Sequence, residues 1–513
     1  MHDRRKLIGF GWYAILILFT SFVFSTNAIK SASEFQFRTY RDGSEALVLG
    51  KIFADTENLP TGRANLGFVE KKISTKSADV LATYKRVNHP DAVVPEDFND
   101  QHWSHGISTF DAVFLLPRAN VAQLGYATNE LAPNQAIRFF NGDIRAVTKV
   151  TYDEKFLQIY YSGEKLEAAK VGFPHPIDVL GEQNYVFDAY QSQYGLQGIV
   201  FSWIHRSIGF FATFERMQFL AASLCAAVLV LLCREYRIAF SNHFGLVFLI
   251  SILTSPWIIA VARNLYWVPV LWFLPALMVM WIYRSPENSW IRKLLYFLFF
   301  AAIFLKCLTG YEYLSTIIIF SLSIFLIDPF LPTPRYPRGS AIKTILFLST
   351  LSVAGFLIAL LMHAGIRENS IAQGLKFTLQ QDAVKYTSIA ANGGNKGAAN
   401  VPLLDLLKTY IFDWHTPVVF WINHQMVFPI LVALAFLSLV FQYLTADIAR
   451  HRDAALIIVM LLAPLSWLIL MRGHSVIHVH LNYVLWYLGF VPSLLFVAAR
   501  GMFLCWRRIV DKH

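Results

Sequence analysis

Charge is scarce in this chain, and so is cysteine. Only 15% of its 513 residues are Asp, Glu, Lys or Arg, against roughly a quarter in a soluble domain. Hydrophobic residues make up 56%, and the mean hydropathy is +0.46. That balance excludes an ordinary soluble fold. The four cysteines, Cys225, Cys233, Cys307 and Cys505, all lie in or beside apolar runs. The long polar stretch after the first apolar run has none, so no disulfide holds it together; the cysteines read as small apolar packing residues. Phosphate-cradling and nucleophile motifs are missing too. No Walker loop, no GxGxxG after a strand and no GxSxG occurs, which disfavours a nucleotide-driven pump and a soluble-type hydrolase. Asn99-Asp-Gln, Asn120-Val-Ala and Asn141-Gly-Asp lack the hydroxyl residue of a glycosylation sequon, which leans the reading toward a bacterium.

What is present is a layout. One N-terminal apolar run leads into a polar segment of about 180 residues, and apolar runs then follow one another to the C-terminus. Runs of about 20 apolar residues span a bilayer as helices. On that measure the expected class is a membrane all-α polytopic bundle of about ten transmembrane helices. The spans fall near 7–28, 215–233, 242–261, 266–283, 294–309, 313–329, 343–363, 426–445, 454–471 and 482–504. The first run contains Trp12, Tyr13 and several Phe and is longer than the apolar part of a cleaved signal, so it is read as a retained helix. The organisation expected is 1–28 as the first helix, 29–214 as a large outer loop domain, 215–363 as helices two to seven, 364–425 as a second outer loop, and 426–513 as the last three helices and a tail.

The formal net charge of +10 does not point to nucleic acid, because the basic residues sit in short connections. Arg4, Arg5 and Lys6; Arg234 and Arg237; Arg284, Arg292 and Lys293; Arg335, Arg338 and Lys343; Arg450 and Arg452; and Arg507, Arg508 and Lys512 fall in alternate connections. By the positive-inside rule this set is cytoplasmic. Both termini are then cytoplasmic, which an even number of spans satisfies. The opposite face collects 29–212, the turns 263–267 and 309–313, the segment 364–424 and the turn 472–482. In a bacterial inner membrane that face is periplasmic.

The long loop is expected to be a small mixed α/β domain, with strand-like segments at 136–140 and 157–161 between turn residues. Its end, 195–213, carries Ile199, Val200, Phe201, Trp203, Ile204, Ile208, Phe210 and Phe211 around His205 and Arg206, the pattern of an amphipathic helix along a membrane surface. The Gly- and Asn-rich run 392–400 reads as mobile, either a lid or a plain flexible loop.

The chemistry-bearing residues lie on the outer set. In the segment 37–51, Arg41 precedes Asp42-Gly-Ser-Glu45. Asp42 and Glu45 would share one helical face, as a general base with a second acid, or would form an N-cap and its capping-box partner. Arg263 sits at a helix end beside Tyr266 and Trp267, as an interface anchor or a phosphate clamp. Lys306, Tyr311 and Glu312 lie between two apolar runs, where ionisable groups are costly and default to function, although Lys306 and Glu312 can simply pair. Arg472, His474, His478 and His480 form the last turn. His474 and His478 have i, i+4 spacing, but no HExxH accompanies them. No cofactor is firmly implied; a divalent metal is compatible with the turn but has no ligand motif behind it.

With the acids Asp42 and Glu45 just after the first helix, a large first outer loop returning through 195–213, and a second long outer loop at 364–424, the chain resembles the GT-C superfamily of polytopic membrane glycosyltransferases. Within it, the aminoarabinose lipid A transferases and protein O-mannosyltransferases carry long loops in these places. The first loop here is longer than is usual in that family, and Asp42-Gly-Ser-Glu45 replaces a plain Asp-Glu pair, leaving open which acid is the base. The resemblance implies a sugar donor linked through phosphate to a polyprenyl lipid, and a lipid, glycan or protein acceptor. It also implies an outer active site with Asp42 or Glu45 as base, and Arg263, Lys306, Arg472 and His474 binding the departing phosphate. A single displacement would invert the anomeric centre. The other readings are a polysaccharide polymerase or O-antigen ligase, whose large outer loop usually lies toward the C-terminus, and a lipid-linked glycan transporter or flippase without chemistry.

Overall fold

The computed structural model describes residues 2–34, 37, 43–73, 107–108, 113–117, 136–139, 144–152, 156–161, 174–176, 183–383, 401–413, 417–419 and 422–511. The chain forms two compact units, one of residues 1–68 and 189–513 and the other of residues 69–188.

The first unit is helical. Its elements are α1 (His2–Thr26), α2 (Gly43–Thr56), α3 (Leu196–Ser207), α4 (Phe214–Ala239), α5 (Asn242–Leu253), α6 (Pro256–Val261), α7 (Val270–Arg284), α8 (Trp290–Thr309) and α9 (Leu314–Ile327). Then follow α10 (Arg338–Arg367), α11 (Ile371–Phe377), α12 (Leu403–Lys408), α13 (His424–Leu444), α14 (Arg450–Leu470), the short α15 (Arg472–Ile477) and α16 (Val479–Asn482), and α17 (Phe490–Val510). Among the described residues five stretches are long and apolar enough to cross a membrane: Phe214–Ala239, Arg338–Arg367, Val427–Leu444, Arg450–Leu470 and Phe490–Val510. Arg338–Arg367 and Val427–Leu444 leave most of their apolar surface exposed, a surface that suits lipid rather than water. The architecture is that of an all-α membrane protein.

Two of the expected spans are built differently. The run 242–261 is not one helix. It breaks at Thr254-Ser255, where the Ser255 hydroxyl accepts the Ile258 N–H at 3.2 Å and Pro256 stands at the first helical position. A serine N-cap followed by proline starts a new helix. The last span begins later than 482: a 3₁₀ turn covers Tyr483–Tyr487, Gly489 takes φ 100°, and α17 runs from Phe490 to Val510. Without the usual hydrophobic drive between helices in lipid, packing depends on close approach. Gly501 supplies such a contact, since a Cβ there would collide with the Ser438 side chain of α13.

The connections sort into two ends. At one end buried carboxylates tie α4 to α7, α7 to the end of α9, and α14 to α17. Glu235 pairs with Arg234 at 2.5 Å and Arg284 at 2.6 Å. Asp328 accepts the Arg335 and Tyr336 amides at 2.9 and 3.0 Å and the Tyr283 hydroxyl. Asp453 pairs with Arg452 and Arg500, each at 2.7 Å. These are the basic connections that the charge pattern groups together. The other end holds the turns at 263–267, 309–313 and 472–478, described below.

The polar segment divides between the units. The described residues of the second unit are strands. β2 (Ile107–Ser108), β3 (Val113–Pro117), β4 (Ala136–Phe139), β5 (Ile144–Tyr152), β6 (Phe156–Tyr161) and β7 (Pro174–Pro176) form a sheet in the order β2-β3-β6-β5-β4-β7, and β1 (Gly67–Ile73) pairs with β8 (Gln183–Ala189). The described pairings within the six-stranded sheet are antiparallel. The strand-like segments at 136–140 and 157–161 are β4 and β6. The helices of the polar segment, α2 and α3, belong to the first unit. The run 392–400 lies outside the described residues.

Helix α3 is amphipathic with its polar face inward. Gln197, Gly198, Phe201 and Ser202 are buried, while Ile199, Val200 and Trp203 are exposed. The Ser202 hydroxyl donates to Asp55 Oδ2 at 2.5 Å. Lys51 Nζ donates to Asp55 Oδ1 at 2.8 Å, and Arg206 stands 3.9 Å from the same carboxylate. Burial pushes the Asp55 carboxyl up, but the Lys51 and Ser202 hydrogen bonds and the Lys51 and Arg206 charges outweigh it and hold it below its ordinary range. Small and polar residues thus dock α3 on α2, and an apolar face is left outward, the arrangement an interfacial helix needs.

Candidate active site

Helix α2 begins at Gly43, directly after Asp42. Arg41 and Asp42 lie outside the described residues. Any capping contact to Asp42 lies outside the described residues, and among them Glu45 reaches the 263–267 turn. It is 2% exposed, accepts the Leu265 N–H at 2.8 Å, and takes the Gln218 side-chain amide on both oxygens at 3.2 Å. These contacts fix the position of the buried carboxylate. Within the turn, Asn264 Oδ1 accepts the Tyr266 and Trp267 amides, each at 2.9 Å, an Asx turn that fixes both aromatic residues.

The three outer turns meet through aromatic rings. Trp267 stacks on Tyr313 with centroids 5.8 Å apart and planes 11° apart. Tyr313 meets Trp467 at 5.4 Å and His474 at 6.3 Å, both edge-on. His474 lies 4.5 Å from His478. The link to α3 is polar: Gln197 Nε2 donates to the Thr309 carbonyl at 3.0 Å and the Tyr266 carbonyl at 3.3 Å. Tyr311 meets His363 Nδ1 at 3.2 Å, and His363 Nε2 lies 3.0 Å from the Gln191 carbonyl. Segment 401–413 closes on the last turn, where Tyr410 donates to the Ser475 carbonyl at 2.7 Å and accepts from Asn482 at 3.0 Å. Burial pushes the Tyr410 hydroxyl above its usual range, against the Asn482 hydrogen bond. It is a neutral donor at physiological pH.

The cations differ in what they already hold. Arg263 donates to the Phe37 carbonyl at 2.7 Å and lies over the Phe37 ring, 3.6 Å from its centroid. Lys306 is 2% exposed, donates to the Gly310 carbonyl at 2.7 Å and stands 3.8 Å from Glu312. A phosphate at Lys306 would face that carboxylate as well. Arg472, half-buried at the start of α15, has no ion pair or hydrogen bond among the described residues. Among the described cations of these turns it is the one with an open coordination sphere. The His480 side chain lies outside the described residues. Among the described residues no group of three or more His, Cys, Asp or Glu is placed to hold a metal ion.

No protein-family model, curated protein or solved structure matches the chain.

The structure adds residues that the sequence did not single out. Gln193 is 3% exposed, and neither its amide oxygen nor its nitrogen has a partner among the described residues. Its side chain lies against Gly310, where a Cβ would displace Gln193 Oε1 and Glu312 Oε2 and where φ is 151°, strained for any other residue. Gln197 Oε1 and the indole nitrogens of Trp267 and Trp467 are likewise buried without partners among the described residues. Each such group costs roughly 1–3 kcal/mol to leave unpaired. Gln193 and Gln197 lie beside the 309–313 turn, and Trp267 and Trp467 pack on its Tyr313. An amide carries no signal in a sequence, and only the fold brings residue 193 to the 309–313 turn.

Proposed function

We propose that the chain is an integral-membrane glycosyltransferase that moves a sugar from a polyprenyl-phosphate-linked donor to an acceptor hydroxyl. The observation that carries the reading is the chemistry gathered at one end of the helical unit: buried amide and indole atoms with no partner among the described residues, set around the 309–313 turn and its Tyr313, and Arg472 on the adjoining turn, likewise without one among them. Hydroxyl-rich rings offer hydrogen bonds to such amides and apolar faces to such rings, and a guanidinium takes a phosphate. The reading takes the architecture as GT-C-like with ten spans. The α5–α6 pair makes one span, the largely buried α7 and α9 make two more, and α8, with Phe297 and Leu294 exposed on one face, makes another. Both termini are then cytoplasmic, and the site faces the periplasm of a bacterial inner membrane.

In this mechanism Asp42 takes the proton of the acceptor hydroxyl. The acceptor oxygen forms a bond to the anomeric carbon as the bond from that carbon to the phosphate oxygen breaks. The electron pair leaves on polyprenyl phosphate, and the anomeric centre inverts. Arg472, with His474 and His478 beside it, receives the charge that develops on the phosphate. Glu45 positions the 263–267 turn, and Gln193 and Gln197 bind the sugar. Lipid tails lie along the apolar helices.

The test is polyprenyl-phosphate release from a panel of lipid-linked sugars by protein in nanodiscs, comparing wild type with Asp42→Asn and Arg472→Gln. The proposal expects release by wild type, loss of about a hundredfold or more in Asp42→Asn, and loss of about ten- to a hundredfold in Arg472→Gln. Equal release by wild type and Asp42→Asn would remove Asp42 as the base. Equal release by wild type and Arg472→Gln would remove the phosphate site.

A further inference from the structure

At the end of the unit away from the outer turns, a groove of about 710 Å³ opens between α1, α4 and α5. Its walls are apolar: Ile15, Leu16 and Phe19 from α1, and Leu246 and Leu249 from α5. Ile15 and Leu246 are both more than half exposed, so protein does not fill it. One end is cationic. Arg234 and Arg237 both line the groove, and their guanidinium groups lie 5.9 and 5.8 Å from the Tyr13 ring centroid.

The charge there is not balanced. The Glu235 carboxylate is shared between Arg234 and Arg284, which leaves one formal positive charge in that trio. Arg237 adds a second; it is exposed and has no carboxylate partner among the described residues. An apolar trough ending in uncompensated arginines beside an aromatic ring complements one kind of molecule in a bilayer. That molecule carries apolar tails and a phosphate with no cation of its own.

We propose that this groove binds an anionic diacyl phospholipid, with its phosphate at Arg237 and Arg234 and its acyl chains along α1 and α5. A zwitterionic lipid would bring its own cation to the arginines, and a transmembrane helix would have to bring a carboxylate to that depth. The site lies at the end of the unit opposite the outer turns. It depends only on the helices lying in a bilayer, so it stands or falls apart from glycosyl transfer.

The experiment is native mass spectrometry of the full chain in detergent, titrated with dioleoylphosphatidylglycerol or dioleoylphosphatidylcholine. A basic side chain near a membrane surface favours an anionic lipid by about 1 kcal/mol, or about five-fold. Wild type is therefore expected to prefer phosphatidylglycerol by more than five-fold. Arg237→Gln should lower that preference about five-fold, and Arg237→Lys should retain most of it. Leu246→Trp, which fills the trough, should weaken both lipids. Three results would overturn the proposal: equal binding of the two lipids by wild type, an unchanged preference in Arg237→Gln, or a dimer lost in Leu246→Trp with no lipid adduct, which would assign the groove to a second copy of the chain.

Discussion

Glu45 offers a sharp test of how the site is organised, because its two assigned roles predict opposite results. Its carboxylate accepts the Leu265 N–H and both contacts from Gln218 while 2% exposed. Glu45→Ala strips the partner from a buried backbone amide and a buried side-chain amide at once. Leaving each unpaired costs about 1–3 kcal/mol, so the variant should lose roughly 2–5 kcal/mol and its 263–267 turn should loosen. Glu45→Gln keeps an oxygen for Leu265, and a flip of the Gln218 amide restores the second contact. Its cost should stay near 1 kcal/mol, a neutral hydrogen bond replacing a charged one. The assay pairs chemical denaturation in detergent with polyprenyl-phosphate release. A positioning role predicts that activity follows stability, with Ala low and Gln near wild type. If Glu45→Gln kept its stability yet lost activity by two orders of magnitude or more, the reasoning would be refuted and Glu45 would be the base.

Three further outcomes follow from individual contacts. Gly310→Ala places a Cβ against Glu312 and Gln193 at a φ of 151°, so transfer should fall far more than in an alanine exchange at exposed Gly339, which has open space around it; equal effects would contradict the role given to Gly310. Arg500→Met leaves the fully buried Asp453 with Arg452 alone and removes the partner of Asp447, and breaking such a buried pair should cost on the order of 3 kcal/mol, read by denaturation. Asp55 has its carboxyl held below the ordinary 3.8. The stability this gives is present above about pH 3.8 and is lost as pH falls through the lower folded value. Asp55→Asn should therefore be less stable than wild type at neutral pH and show a flatter acid limb; an unchanged acid limb would remove the Lys51–Asp55–Ser202 link from the account.

The sequence carried the two-ended sorting of the unit because charge marks connections directly. Arg234, Arg284, Arg335 and Arg452 lie in alternate connections, and the structure gathers them at one end around Glu235, Asp328 and Asp453. Window hydropathy could not see the break at Ser255-Pro256, since apolar residues continue on both sides, although serine before proline is itself a helix-start signal. The amphipathic pattern of α3 was legible as a membrane-surface stripe, and Ile199, Val200 and Trp203 are exposed; that Gln197, Gly198 and Ser202 are the residues packed inward was not. In the candidate site, the turns themselves were legible from Arg263, Lys306 and Arg472. What distinguishes those cations was not. Phe37, Gly310 and Glu312 engage two of them through contacts that the sequence leaves undetermined. Gln193 and Gln197 come from the far end of the polar segment, so only the fold assigns them to the site.

The most direct measurement of glycosyl transfer follows one reaction by two nuclei. Wild-type protein in nanodiscs, given polyprenyl-phosphate sugar and an acceptor, is monitored by phosphorus NMR for free polyprenyl phosphate and by proton NMR for the anomeric linkage. The account predicts one polyprenyl phosphate released per sugar transferred, with the anomeric configuration inverted. A retained configuration would contradict the single displacement. Donor that stays intact with folded protein, or crosses the bilayer without release, would contradict glycosyl transfer itself.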